Sequence, residues 1–328
     1  MAGCAIRGTG LALPDRVVGN GELARRVGTA DDWIRARTGI VTRRTVEGSG
    51  LATSDLAIAA ARAALARAGC EAGAVDLLLV ATSSGDHLVP ATACLVQAGL
   101  GARRAAAVDL NAACAGFLYG LALADAAIAA GTARTVLLVG ADALTRHVDT
   151  TDRNTAVLFG DGAGAVVLGP GEGLLGVHLG ADGSAAADLC IPAGGSRRPV
   201  DAAALAERAH KLRMNGAEVF RAAVHAMAAG LAAALDAAGL APQALRWVVA
   251  HQANARILRG VAERLGLPLE AFWTNIERLG NTGAASIPIA LAEAVDAGAL
   301  RPGDLVGLTA AGAGLTWGAA ILRWPGAA

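Results

Sequence analysis

Aromatic side chains make up only 3% of the 328 residues and charged side chains only 17%, against about 25% charged in an average soluble domain. Neither sign of charge is in excess, because 28 basic residues cancel 28 acidic ones. A protein that holds nucleic acid by neutralising phosphates carries a basic surplus, and a disordered chain couples low hydrophobicity to high net charge. Both classes are excluded. The five cysteines, Cys4, Cys70, Cys94, Cys114 and Cys190, are odd in number, widely spread and without a C-x-x-C pair. This argues against a disulfide framework and for reduced thiols. No cysteine clusters with the six histidines at metal-ligand spacing, so no metal site is expected.

Long hydrophobic runs are scarce too. The longest uncharged stretch, Leu305 to Leu322, contains four glycines and two threonines, and reads as strand, glycine loop and strand rather than as a membrane span. No apolar stretch follows a basic start in Met1 to Pro14, so no signal peptide is expected and the protein is read as cytosolic. What fills the chain is small and apolar: hydrophobic residues reach 54%, with 43 glycines. Such a chain builds its core from small side chains with backbones packed closely. Its length suits one large or two medium domains.

Apolar runs alternate with alanine-rich stretches. Asp76 to Ala81, Thr135 to Gly140 and Ala163 to Gly169 read as buried strands, and Leu51 to Ala68 and Ala115 to Ala130 as helices. That is an α/β pattern. It also repeats. Ala68-Gly69 followed by Asp76 to Val80 matches Ala238-Gly239 followed by Arg246 to Ala250 at a constant offset of 170 residues. Cys114 to Gly140 matches Asn281 to Gly307 at an offset of 167. Two collinear matches predict a duplicated unit, with halves at about 1–172 and 173–328, related by a pseudo-twofold axis with a cleft between them.

Three elbows carry chemistry. Cys114 lies between the strand-like Val108-Asp109-Leu110 and a helix, with a small residue on either side; the helix N–H groups there favour thiolate. Read alone, Cys114 is equally a buried, inert cysteine. His251 follows a buried strand directly, with Asn254 three residues on, at the strand end where open α/β sheets put ligands. Asn281, in Gly280-Asn281-Thr282-Gly283, stands opposite Cys114 in the repeat; its amide donates a hydrogen bond but takes no proton. Gly312-Ala313-Gly314, between two strands, offers backbone N–H groups to an oxyanion. Neither this loop nor Gly160 to Gly164 has a nucleotide-binding glycine pattern.

Together these residues resemble the thiolase-like condensing enzymes, most closely the β-ketoacyl-acyl-carrier-protein synthase III family. The likeness covers nearly the whole chain: Asp31-Asp32-Trp33-Ile34 with Arg37-Thr38-Gly39-Ile40, then A-A-C-A-G-F at 112–117, Asp152-Arg153, F-G-D-G-A-G at 159–164, H-Q-A-N at 251–254, G-N-T at 280–282 and T-W-G at 316–318. The resemblance implies a thiolase-like five-layered α-β-α-β-α fold of two similar halves, and a homodimer. It implies that Cys114 takes an acyl group from acyl-CoA, that His251 and Asn281 stabilise the enolate formed from malonyl-acyl-carrier protein, and that the Cys114 and Ala313 N–H groups hold the oxyanion. It assigns Thr29, Trp33, Arg37 and Arg153 to coenzyme A, and Arg221, Arg256, Arg259 and Arg264 to docking of an acidic carrier protein. Acyl-CoA and malonyl-carrier protein are then substrates, and no cofactor, nucleic acid or membrane is expected.

Asn281 and the lack of a cysteine between Ala311 and Trp317 favour decarboxylating condensation over hydroxymethylglutaryl-CoA or thiolase chemistry. The chain departs from the family where Val89, Ala311 and Leu315 stand in place of phenylalanines bordering the acyl pocket, and Ala217 in place of an asparagine near the coenzyme arm. A starter larger than acetyl, branched or aromatic, is the expectation, with Val89 contributed across a dimer interface. Two other readings remain open: acyl transfer from Cys114 to a hydroxyl, amine or carrier without carbon–carbon bond formation, and a non-catalytic partner subunit.

Overall fold

A computed structural model describes residues 3–325. Among them, two main sheets hold nine strands: β1 (Cys4–Ala12), β2 (Leu77–Ala81), β3 (Ala106–Leu110), β4 (Val136–Asp142) and β5 (Gly162–Pro170) in the first, and β6 (Leu174–Ala181), β7 (Trp247–Ala250), β8 (Leu305–Gly312) and β9 (Thr316–Arg323) in the second. The first sheet has the order β1-β5-β4-β2-β3 and the second β7-β8-β9-β6. Each runs by one plan. An opening strand pairs antiparallel with the closing strand, which pairs antiparallel with a central strand, which in turn pairs parallel with its neighbour. The first sheet adds β3, parallel to β2; at the corresponding place the second has one parallel bridge, Val248 to Phe272.

Seven helices matter below: α1 (Asp31–Thr38), α2 (Thr53–Arg67), α3 (Thr92–Leu100), α4 (Gly116–Ala129), α5 (Gly216–Ala238), α6 (Ala255–Leu265) and α7 (Ser286–Asp296). The alternation of side chains along the strands decides the layers. Leu79, Val136, Leu138, Val166 and Leu168 of the first sheet share one core with Val249, Val306, Leu308 and Ala320 of the second, and between them lie Phe117, Leu118 and Leu121 of α4 and Ile287, Ala290 and Leu291 of α7. The opposite face of the first sheet, Leu78, Val80, Leu137 and Val139, packs on α2 and α3. The outer face of the second, Val248, Ala319 and Ile321, packs on α5 and α6. This is the five-layered α-β-α-β-α arrangement of two like halves.

The layers are thin because the residues are small. Ala57, Ala60, Ala61 and Ala64 of α2 are fully buried, which lets the helix backbone lie close on the sheet. Each leucine buried in these layers contributes roughly 1.5–3 kcal/mol. The Leu305 to Leu322 stretch forms most of β8 and β9, a strand pair as the glycines indicated. Helix α5 is long and apolar enough to span a membrane by length and composition. Here Met227, Leu231 and Leu235 bury its apolar face against the second sheet.

Candidate active site

A cavity of about 890 Å³ runs between the halves, with Cys114, His251, Asn281 and the Ala311 to Leu315 segment in its wall. Cys114 sits in a short 3-10 turn, Ala113–Ala115, that feeds α4. The preceding Ala113 has φ 46°, a left-handed conformation costly for a residue with a Cβ. The elbow is therefore sharp, and it is braced from the second half. A Cβ added at Gly312 would lie 2.6 Å from the Cys114 nitrogen, so only glycine lets the β8–β9 loop approach the Cys114 backbone this closely. The Thr316 hydroxyl donates to the Ala112 carbonyl at 2.8 Å, with the Ala313 carbonyl also within reach at 3.1 Å. The threonine of T-W-G thus ties the cysteine loop to the glycine loop.

The resting state of the sulfur differs from the sequence expectation. Burial, and then the negative charge of Asp142, push the Cys114 thiol up to about 12. The helix terminus was expected to favour thiolate, but the sulfur is enclosed between two halves, and desolvation outweighs the backbone hydrogen bond that lowers the value. His251, at the end of β7, is 2% exposed. Burial depresses its imidazole to about 4, outweighing the upward pull of the Gly283 backbone. At neutral pH the pair is thiol and neutral imidazole.

Asn281 is pinned by its main chain: its N–H donates to the Leu158 carbonyl and its carbonyl accepts from the Gly160 N–H, both at 2.9 Å. Its side-chain Oδ1 accepts the Gly283 N–H at 2.9 Å. The amide oxygen is thereby engaged, leaving Nδ2–H as the group available to a ligand. Gly160 of the F-G-D-G-A-G motif and Leu158 just before it supply this clamp, and Asp161 secures it by accepting from Val46 N–H and from the Thr145 N–H and hydroxyl. In H-Q-A-N, Gln252 Oε1 accepts from Asn275 N–H and Ile276 N–H at 2.8 and 2.9 Å, setting the approach to Asn281. Asn254 caps α6 through Arg256 N–H and donates to the Arg37 carbonyl at 3.1 Å.

Toward the mouth, the guanidinium carbons of Arg153 and Arg37 lie 4.9 and 5.0 Å from the centre of the Trp33 ring. Trp33, Arg37, Arg153, Ala217, Arg221 and Arg256 all line the cavity. Thr29 does not; it lies just after a short helix, Asn20–Val27, and before α1, with its N–H on the Ala24 carbonyl. Arg259 and Arg264 stand on exposed positions of α6 outside the cavity wall. Val89 is 86% exposed beside Leu88, on a loop away from the cavity. Sequence reasoning did not pick out Phe159, Met227, Met214 or Leu189, which also line the cavity. Phe159 opens the F-G-D-G-A-G motif but was given no role of its own; the other three belong to no motif, and their apolar character matched ordinary core.

Residues 108–183 match the family described as 3-oxoacyl-[acyl-carrier-protein (ACP)] synthase III, and residues 235–324 match its C-terminal counterpart. A β-ketoacyl-[acyl-carrier-protein] synthase III of Roseiflexus castenholzii is 52% identical over 323 residues, 98% of each chain. This chain belongs to the 3-oxoacyl-[acyl-carrier-protein] synthase III family. The crystal structure of a synthase III from Pseudomonas aeruginosa PAO1 superposes with a TM-score of 0.91 at 45% identity, covering 98% of each chain. A priming β-ketosynthase from the R1128 polyketide biosynthetic pathway gives 0.92 at 34% identity, covering all of this chain and 98% of that one. Membership makes the protein an acyl-transferring condensing enzyme.

Proposed function

We propose that this synthase III family member joins an acyl-CoA starter to malonyl-acyl-carrier protein by decarboxylative Claisen condensation, opening fatty acid or polyketide assembly. The meeting of Cys114, His251 and Asn281 with the Gly312–Gly314 backbone in one cavity carries this reading. The Cys114 sulfur attacks the acyl-CoA carbonyl, its proton passes to neutral His251, and coenzyme A leaves as the thiol. The N–H groups of Cys114 and Ala313 hold the oxyanion. In the second half-reaction His251 and Asn281 donate to the malonyl thioester oxygen as carbon dioxide departs. The enolate carbon attacks the acyl carbonyl, and the collapsing intermediate expels Cys114 and leaves a β-ketoacyl thioester on the carrier. Each donor to such an oxygen is worth about 2.7–4 kcal/mol. This sequence of steps draws on no metal or cofactor.

Trp33, Arg37 and Arg153 suit a purine and its phosphates, offering an aromatic plane and guanidinium groups, with Thr29 beyond the wall as a further nucleotide contact. Ala311 and Leu315, with Val89 from a second copy, border the acyl group and admit a branched or aromatic starter. Arg221, Arg256, Arg259 and Arg264 form the basic surface for an acidic carrier. We place the enzyme in the cytoplasm, in keeping with its five free thiols; cell fractionation tests this. We also take 1–172 and 173–328 as the duplicated halves; separately expressed halves that fail to reassociate into active enzyme would argue against that division.

Supplied with acyl-CoA and malonyl-carrier protein, the enzyme is expected to release carbon dioxide and form a β-keto product in equal amounts. Reversing the charge at Arg259 is expected to raise the KM for the carrier and leave that for acyl-CoA unchanged. Transfer of the acyl group to an alcohol, amine or carrier without carbon dioxide would establish plain acyl transfer instead.

The homodimer has its own support. Strand β3 is the edge of the first sheet, with Val108 43% exposed and Leu88 and Val89 nearly bare; an unpaired, apolar edge invites a second copy. Sedimentation is expected to give the mass of two chains, and Val108→Lys to give one. A wild-type monomer would remove this reading.

A further inference from the structure

The cavity chemistry leaves one buried carboxylate without a task. Asp142, the last residue of β4, is fully buried. Its Oδ1 accepts from the Ser83 N–H at 2.8 Å, the Ser84 hydroxyl at 3.0 Å and the Thr82 hydroxyl at 3.2 Å; its Oδ2 accepts the Ala284 N–H at 2.8 Å. None of the ion pairs among the described residues includes it. An anion held by neutral donors alone is expensive to bury, and burial raises this carboxyl to about 6. Only a carboxylate offers an acceptor to the Ser83 N–H on one side and to the Ala284 N–H on the other; an amide would meet one of them with a donor.

The position of the carboxylate explains why a charge is kept there. Its donors come from both halves: the Thr82–Ser84 loop after β2, and the Gly283–Ala285 turn that leads into α7. Gly283 of that turn has φ 59°, and a Cβ there would fall on Asp142 Oδ2. The same glycine's N–H engages Asn281 Oδ1. One carboxylate therefore grips the turn that orients the Asn281 amide, and its charge also opposes the thiolate form of Cys114.

We propose that Asp142 is a positioning residue for the condensation step: it bridges the two halves, and its carboxylate holds the Gly283–Ala285 turn that presents the Asn281 amide to the thioester oxygen. This rests on the roles proposed above for Cys114 and Asn281.

Asp142→Asn keeps the shape, removes the charge and, having one acceptor oxygen and one N–H donor, must set its Nδ2–H against either the Ala284 N–H or the Ser83 N–H. Carbon dioxide release from malonyl-carrier protein is expected to fall roughly 10²-fold, the loss typical of a reacting group misplaced by about 1 Å. Acyl transfer from acyl-CoA to Cys114 is expected to persist. The pH profile for alkylation of Cys114 by iodoacetamide is expected to move to lower pH, because the charge that opposes the thiolate is gone. A purely structural role would lower both half-reactions and the melting temperature together and leave the alkylation profile in place; that result overturns the proposal. If Asp142→Asn does not fold, Ser84→Ala removes one Oδ1 donor and is expected to show the same split between half-reactions at smaller amplitude; an equal effect on both, or none, counts against the bridge. Asn281→Ala separates the two levels of the argument. If it spares decarboxylation, the role of Asn281 fails; if it abolishes decarboxylation while Asp142→Asn does not, only the bridge fails.

Discussion

Incubated with acyl-CoA thioesters, the wild-type protein is expected to gain the mass of the acyl group, and Cys114→Ala to gain nothing. Removing a covalent nucleophile takes away the intermediate on which both half-reactions depend, and overall condensation is expected to fall by roughly 10³-fold or more. The loss would not be one of folding. Cys114 is half-buried at the cavity wall, and the elbow around it is held by backbone contacts with Gly312 and Thr316 that alanine keeps. The thiol is held up to about 12 at rest, so a simple alkylating agent is expected to react slowly at neutral pH, whereas in the proposed mechanism a bound thioester brings its carbonyl beside neutral His251, which takes the proton. Across a panel of starters, branched and aromatic acyl groups are expected to load at least as fast as acetyl, because Ala311 and Leu315 leave room in the wall. Loading confined to acetyl-CoA would sink the wide-pocket reading. Trp33→Ala serves as the contrast: it is expected to raise the acyl-CoA concentration needed, by up to about tenfold for loss of stacking, and to leave the adduct on Cys114 intact.

Asn281→Asp is expected to separate the half-reactions. The aspartate can accept the Gly283 N–H as Asn281 Oδ1 does at 2.9 Å, so the turn survives, but the Nδ2–H donor becomes a negative oxygen facing the developing enolate. Loss of one donor costs about 10²–10³ in rate, and like-charge repulsion in a dry cavity adds to it. Carbon dioxide release is the measurement, with Cys114 acylation by intact-protein mass as the internal control. Condensation that survives in Asn281→Asp would show that the amide does not face the malonyl oxygen.

The α/β class and the three elbows were legible because hydrophobic periodicity and turn residues are local signals. The offsets of 170 and 167 residues led to the same strand pairs, β2 with β7 and β4 with β8, that now hold like places in the two sheets. Asn254 read as a second active polar group beside His251; in the fold it caps α6 and ties it to Arg37. The electrostatic setting of Cys114 was misjudged for a related reason. A helix terminus is visible in sequence, while the burial that overrides it depends on a loop some 200 residues away.

By itself the sequence determined the repeated α/β unit and the family, and singled out Cys114, His251 and Asn281, since each depends on residue type and local order. Only the tertiary structure decided the charge state of Cys114 and His251, the facing of the Asn281 amide and the place of Asp142. The Asp142 carboxylate meets Ala284 across a separation of 142 residues, and desolvation and hydrogen-bond direction arise only once distant segments are packed together.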